Sequence, residues 1–258
     1  MRSIALALLC AAFAATAAAE TPLTRARTGQ LTAPVRVAGG APVAFAIDTG
    51  ASGCSVSEQF AKERRLLSIG RAEVRRVRAP GVELDGALLG DLTCTVVADR
   101  TDAPAGVIGA DALNRYVVAF DVRRMRLSLH GGAQHGQALV SPQARLVRAW
   151  RLPGGLISAP VELNGAVGLG VVDTGAVRST FNRRFAAAAG VDDATRPLGL
   201  FKLAGAATRD VEAGVADAPT FAAVGMAEES AMILGLDRLA GLKLIIDYPR
   251  RRIWFDPG

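Results

Sequence analysis

Two aspartates stand in matching surroundings 125 residues apart, Asp48 in Phe45-Ala46-Ile47-Asp48-Thr49-Gly50-Ala51 and Asp173 in Gly170-Val171-Val172-Asp173-Thr174-Gly175-Ala176. Carboxylates brought face to face cannot both ionise cheaply, because like charges a few ångströms apart repel in a low-dielectric site. Such a pair shares one proton, so one member acts as base while the other acts as acid at the same pH. The base can draw a proton from a water held between them, the water attacks a carbonyl, and the acid protonates the developing oxyanion. The glycine after each Asp-Thr lets the backbone come close to a carboxylate and donate N–H groups to it. The threonine hydroxyls are placed to bind the backbone of the opposite half. Asp48 and Asp173 are therefore the candidate catalytic residues, with Thr49, Gly50, Ala51, Thr174, Gly175 and Ala176 as their support.

A pair of this kind needs two equivalent elements to carry it, and the chain repeats itself. Val107-Ile108-Gly109-Ala110-Asp111-Ala112-Leu113 recurs as Ile233-Leu234-Gly235-Leu236-Asp237-Arg238-Leu239, and the stretch Tyr116 to Leu129 recurs as Leu242 to Phe255, both offset by 126. Three landmarks in one order with nearly constant spacing indicate one lobe, duplicated. Within each half a tight turn precedes the Asp-Thr-Gly strand, at Gly39-Gly40 and at Asn164-Gly165, both dipeptides that suit hairpins. Large Val43, Phe45 and Ile47 alternate with Ala44 and Ala46, which places one face of that strand inward. A helical pattern follows, Ser57 to Leu67 in the first half and Arg183 to Ala189, stopped by Gly190, in the second. Each half closes with a hairpin, in which Met125, Leu127 and Leu129 alternate with Arg124, Arg126 and Ser128. The Gly- and Gln-rich stretch from about His130 to Arg148 reads as the connector. His130 and His135 fall in it with no carboxylate or thiol at ligand spacing, so no metal site is expected.

At these residues the chain resembles the pepsin/retropepsin family of aspartic peptidases over nearly its whole length after the first twenty residues. The family signature is two hydrophobics before Asp-Thr-Gly and, later in the lobe, hydrophobic-hydrophobic-Gly; here these are Ala46-Ile47 with Val107-Ile108-Gly109, and Val171-Val172 with Ile233-Leu234-Gly235. The Phe120-Asp121 and Ile246-Asp247 hairpins are similar to those that end pepsin-like lobes. The resemblance implies an all-β fold of two pseudo-symmetric β-barrel lobes with a few short helices and the active site between them. It implies a lobe over 20–130, a linker over 131–150 and a second lobe over 151–258. It implies an aspartic endopeptidase acting on proteins or peptides without a cofactor. A second reading is a non-catalytic module gripping an extended peptide in the same cleft. Paired-carboxylate glycoside chemistry finds little support in a chain with 5% aromatics, because sugar sites need aromatic platforms.

The chain departs from pepsins in several respects. Alanine follows both glycines, as in viral retropepsins, where pepsins carry Ser or Thr. Without a hydroxyl to favour ionised carboxylates, the pair should titrate higher. The lobes are short, close to two fused retropepsin protomers, which predicts a competent monomer. By position the flaps should lie at Ala79-Pro80-Gly81 and Ala204-Gly205-Ala206. Neither holds a flap tyrosine, so closure there would rest on backbone contacts.

Met1-Arg2, the apolar run Ile4 to Ala15 and the small-residue pattern Ala17-Ala18-Ala19 read as a signal peptide over 1–19, cleaved after Ala19, for a periplasmic or secreted protein. No other stretch approaches the length of a membrane span without a charge or glycine. Cys10 lies in the leader, which leaves Cys54 and Cys94. A bridge closing about 40 residues, worth roughly 4 kcal/mol on the chain-entropy model, and two buried free thiols both remain open. Net charge is +6, and all but three of the 30 basic residues are arginine. The arginines alternate with apolar residues and no nucleic-acid motif accompanies them, so no nucleic-acid partner is expected.

Overall fold

A computed structural model describes residues 20–70, 73–131, 133–191 and 197–258; the expected leader, 1–19, lies outside them. The described chain is mostly β, with five helices of at most six residues. Both Asp-Thr-Gly strands leave two-residue turns with positive φ at both positions, Ala38 and Gly39 (54° and 66°) and Asn164 and Gly165 (49° and 90°). That is the geometry that twists with the strands it joins. The first turn therefore sits one residue before the expected Gly39-Gly40, with the Gly40 N–H closing onto Val37 O.

In the first lobe Leu31–Arg36 pairs with Val43–Ile47, which runs parallel to Gly106–Ile108. Ser55–Ser57 joins Gly106–Ile108 to Ala87–Val97, and Arg76–Leu84 pairs with both Ala87–Val97 and Leu31–Arg36, closing a barrel. The second lobe repeats these pairings in equivalent register: Ile157–Leu163 with Ala166–Val172, the latter parallel to Ala231–Leu234. One departure concerns a long strand. The long strand Ala87–Val97 is represented by two short ones, Ala206–Thr208 and Gly214–Val215, with 209–213 between them.

Core packing differs between lobes. Phe60 packs edge-on against Phe45 at 5.2 Å. In the second lobe the place of Phe45 is taken by Gly170, and the equivalent Phe185 lies against Gly168 and packs on Phe181 at 5.2 Å, which stands where the first lobe has Val56. The ring that Phe185 packs on thus sits two strands over in the sheet. The helix Glu58–Glu63 is capped by Ser57 and the helix Arg183–Ala188 by Asn182. The first helix is shorter than the sequence pattern implied, because Leu67 already belongs to the strand Leu67–Ile69.

Beneath both lobes lies a six-stranded antiparallel sheet, three strands from each half. Val117–Asp121 pairs with Lys243–Asp247 across the middle, with Ala119 opposite Ile245. Those two residues are themselves equivalent in the repeat, so the pseudo-two-fold axis passes between them. The outer strands obey it too: Thr21 opposite Leu127 matches Val147 opposite Ile253. The connector is thus more than a linker. Its strand Arg145–Arg148 is an edge of this sheet, and Leu139, Val140 and Ala144 cover the underside formed by Val117, Ala119, Ile245 and Trp254. Ser128, expected outward, is buried for the same kind of reason, since both faces of the sheet are covered.

The flap positions need correction. Ala79-Pro80-Gly81 lies inside Arg76–Leu84 at a register shift in its ladder. Pro80 has no N–H to give a ladder; its carbonyl accepts from Ala38, while the Gly81 N–H donates to Asp91 at 2.8 Å. The turn comes at Asp85-Gly86 and points to the floor: Asp85 accepts from Thr21 Oγ1 at 2.5 Å and from the Leu129 N–H at 2.8 Å. Ala204-Gly205 is the equivalent turn, and Arg145 donates to Ala204 O at 3.3 Å. The hairpin that stands clear of the first lobe is Leu67–Ile69 with Arg76–Arg78; Leu67 is 75% exposed, and Val74 near the tip 53%.

Candidate active site

Each Asp-Thr-Gly turn begins where a central strand ends. The Asp48 N–H donates to Ile108 O at 3.0 Å and the Asp173 N–H to Leu234 O at 3.1 Å. The hydrophobic-hydrophobic-Gly elements thereby hold the start of each turn. They also hold its middle, since the N–H groups of Ala110 and Leu236 each donate to the carbonyl of Ala51 and Ala176 at 2.8 Å. Gly109 and Gly235 pack against the loop backbone so closely that a Cβ would fall 2.7–2.9 Å from it.

The two turns meet across the pseudo-two-fold. Thr49 Oγ1 donates to Val172 O at 2.7 Å and accepts from the Thr174 N–H at 3.1 Å. Thr174 Oγ1 does the same with Ile47 O at 2.7 Å and the Thr49 N–H at 3.1 Å. Both threonines are fully buried. These four bonds pair the hydroxyl and the N–H of each buried threonine, groups that would be costly to bury unpaired.

The junction sets the carboxylates together. Asp48 Oδ1 accepts from the N–H groups of Gly50 (2.8 Å) and Ala51 (3.0 Å), and Asp173 Oδ1 from Gly175 and Ala176 (2.9 Å each). The side chains also hydrogen-bond each other. An ideal Cβ on Gly50 would lie 2.2 Å from Asp173 Cγ, and one on Gly175 2.2 Å from Asp48 Cγ. Neither glycine has positive φ. The motif's glycine is therefore required by the opposite carboxylate rather than by its own backbone.

Burial dominates the electrostatics. It lifts the Asp48 carboxyl above the ordinary range against the pull of its N–H donors. Burial, with repulsion from Asp48 next, lifts Asp173 to about 7. A pair with one proton between its members is the state these environments favour at mildly acidic pH. Tyr248 lies buried in the field of Asp48, its hydroxyl unpartnered and its titration pushed up by burial first and that charge second.

All eight residues singled out in the sequence come together here. Other participants were not read from it. Asp111 accepts from the Cys54 N–H at 3.1 Å, and Asp237 accepts from the Ser179 N–H at 2.9 Å, so each buttresses the far end of a loop. Both belong to the repeated second element, and that recurrence was the available signal. Cys54 and Cys94 are joined in a disulfide, which closes the question of free thiols. Asp121 and Asp247 accept from the N–H groups of Arg124 (2.9 Å) and Arg250 (3.0 Å) and fasten the closing turns, away from the chemistry.

Beside Gly50 and Ala51 opens a groove of about 720 Å³ between the lobes, lined among others by Ser52, Val97, Pro153, Leu156, Pro219 and Val224, with no charged side chain. Among the described residues no cluster of His, Cys, Asp and Glu could hold a metal ion, and no helix is long and apolar enough to cross a membrane. A comparison with curated proteins gives no match. Residues 33–112 match the family of aspartyl proteases, which spans the first lobe from its opening strand to the helix Ala110–Leu113. That match lies in the first lobe, and the second lobe repeats the same loop, threonine junction and underlying glycine, so in both lobes the chain is similar to the aspartyl proteases.

Proposed function

We propose that this protein is an exported aspartic endopeptidase that hydrolyses peptide bonds with a water activated by Asp48 and Asp173. The observation that carries it is the buried, mutually hydrogen-bonded carboxylate pair, held by one set of donors on each side and raised by burial. With a single proton on the pair, the ionised member takes a proton from the water as it attacks the peptide carbonyl. The protonated member hydrogen-bonds and then protonates the oxyanion, and the proton leaves with the amine. The uncharged groove beside Gly50 takes a substrate side chain next to the scissile bond. The exposed hairpin Leu67–Ile69 with Arg76–Arg78 closes over the peptide in the manner of a flap.

Both halves of the site come from one chain, which supports a working monomer. Export is supported by the apolar leader ending in Ala17-Ala18-Ala19 and by the disulfide. Removal of 1–19 leaves the strand Thr21–Pro22 in the shared sheet. Amino-terminal sequencing of the exported chain is expected to start at Glu20; a start beyond Pro22 would contradict this.

The test of function is digestion of a denatured protein mixture between about pH 3 and 7, with the new termini identified by mass spectrometry. Internal cleavages are expected. Saturable peptide binding with no cleavage at any pH would replace this reading by the non-catalytic one.

A further inference from the structure

The two lobes fasten the far end of the active-site loop differently. In the second lobe Ser179, six residues after Asp173, donates its hydroxyl to Asp237 at 2.7 Å and accepts from the Gly235 N–H at 3.0 Å. Loop, underlying glycine and buttressing carboxylate are tied through one oxygen. Cys54 holds the equivalent place in the first lobe. Its backbone repeats the pattern, with Cys54 N–H to Asp111 at 3.1 Å against Ser179 N–H to Asp237 at 2.9 Å. The Thr95 N–H donates to Cys54 O at 3.0 Å where the Gly214 N–H donates to Ser179 O at 3.1 Å. The side chain does not repeat it. A disulfide sulfur has no proton to donate, and Cys54 is bonded instead to Cys94 on Ala87–Val97. The second lobe has Ala213 at the position of Cys94, buried and unable to make any tie.

We propose that the Cys54–Cys94 disulfide is a positioning device for the Asp48 loop. It does covalently what the Ser179 hydroxyl does by hydrogen bonds, so that the first half of the site is fully assembled only when oxidised. Reduction by a dithiol gives two thiols while the dithiol closes to its own disulfide. The covalent tie is then lost and no hydroxyl replaces it. The loop end six residues from Asp48 loosens, and with it the Gly50 and Ala51 N–H groups that hold the carboxylate. A shift of about 1 Å at a reacting group costs on the order of a hundredfold in rate.

The activity readout rests on the peptidase reading above; a second readout does not. Four forms are compared, each checked for cooperative unfolding above the assay temperature: wild type refolded without and with dithiothreitol, Cys54→Ala/Cys94→Ala, and Cys54→Ser/Cys94→Ala. The last installs the second lobe's solution in the first. Relative to oxidised wild type, the reduced protein and the double alanine are expected to lose ten- to a hundredfold in kcat, with KM changed less than threefold. The serine variant is expected within about threefold of wild type and indifferent to dithiothreitol. Hydrogen exchange of the Gly50 and Ala51 amides should follow the same order, protected in oxidised wild type and the serine variant and at least tenfold faster in the other two. Equal protection in all four forms, or a serine variant no better than the double alanine, overturns the proposal. If no form cleaves any substrate but the exchange order holds, the peptidase reading fails and the positioning role stands.

Discussion

Replacing Gly50 by alanine probes the closest approach in the site. The new Cβ would sit 2.2 Å from Asp173 Cγ and 2.5 and 2.6 Å from its oxygens, all side-chain atoms of one residue. Ordinary contact begins near 3.4 Å, so the carboxylate must retreat by about 1 Å or the lobes must part. Overpacking of this size costs about 1–3 kcal/mol of stability, and the displaced carboxylate about a hundredfold in kcat/KM. Because Gly50 does not have positive φ, alanine brings no backbone strain of its own. The cost should therefore vanish when the opposing carboxylate is removed. Denaturant unfolding of wild type, Gly50→Ala, Asp173→Ala and the double variant forms a cycle whose coupling energy should equal nearly the whole cost of Gly50→Ala. An equal cost with and without the Asp173 carboxylate would refute the argument that the glycine serves the opposite lobe.

Asp173, raised to about 7 from 3.8, is disfavoured as a charge in the fold. Its contribution therefore favours folding at low pH and is lost as pH rises from about 4 to about 7, so Asp173→Asn should raise thermal stability at pH 7 by a few kcal/mol and change little below pH 4; a neutral or destabilising effect at pH 7 would contradict the burial argument. Cleavage should peak at mildly acidic pH and fall as the pair loses its shared proton near pH 7, whereas a rate maximum below about pH 3 would contradict the raised pair. Thr174→Val removes two buried cross-lobe hydrogen bonds and strands their partners, an expected loss of about 2–4 kcal/mol by denaturant titration. Val97→Arg, at an exposed position of the uncharged groove, puts a charge in it, and peptide-library cleavage should then shift towards acidic side chains beside the scissile bond.

Much of this was legible in the repeat, because a shared register constrains pairs of positions that no single motif does. The Asp-Thr-Gly copies, the glycines beneath them and the closing hairpins all lie where their offsets place them. What escaped was tertiary. Ala79-Pro80-Gly81 reads as a turn, yet Asp91 and Ala38 take up the backbone groups that proline disrupts, and the strand runs on. Ala204-Gly205 is a turn, but whether a turn covers a cleft or rests on a floor depends on Arg145, 59 residues away. The connector's low periodicity concealed a sheet strand, since Arg145–Arg148 is an edge strand exposed along much of its length. The disulfide depended on how Ser55–Ser57 and Ala87–Val97 pair, which two cysteines in a sequence do not reveal.

The central claim is that Asp48 and Asp173 act together on one water. It is tested most directly by cleavage of a denatured protein mixture across about pH 3 to 7 with wild type, Asp48→Asn and Asp173→Asn, each shown to be folded. The account predicts cleavage by wild type and a loss of at least about a thousandfold in both variants at every pH, as for residues that work as a unit. Substantial cleavage by either variant would contradict it.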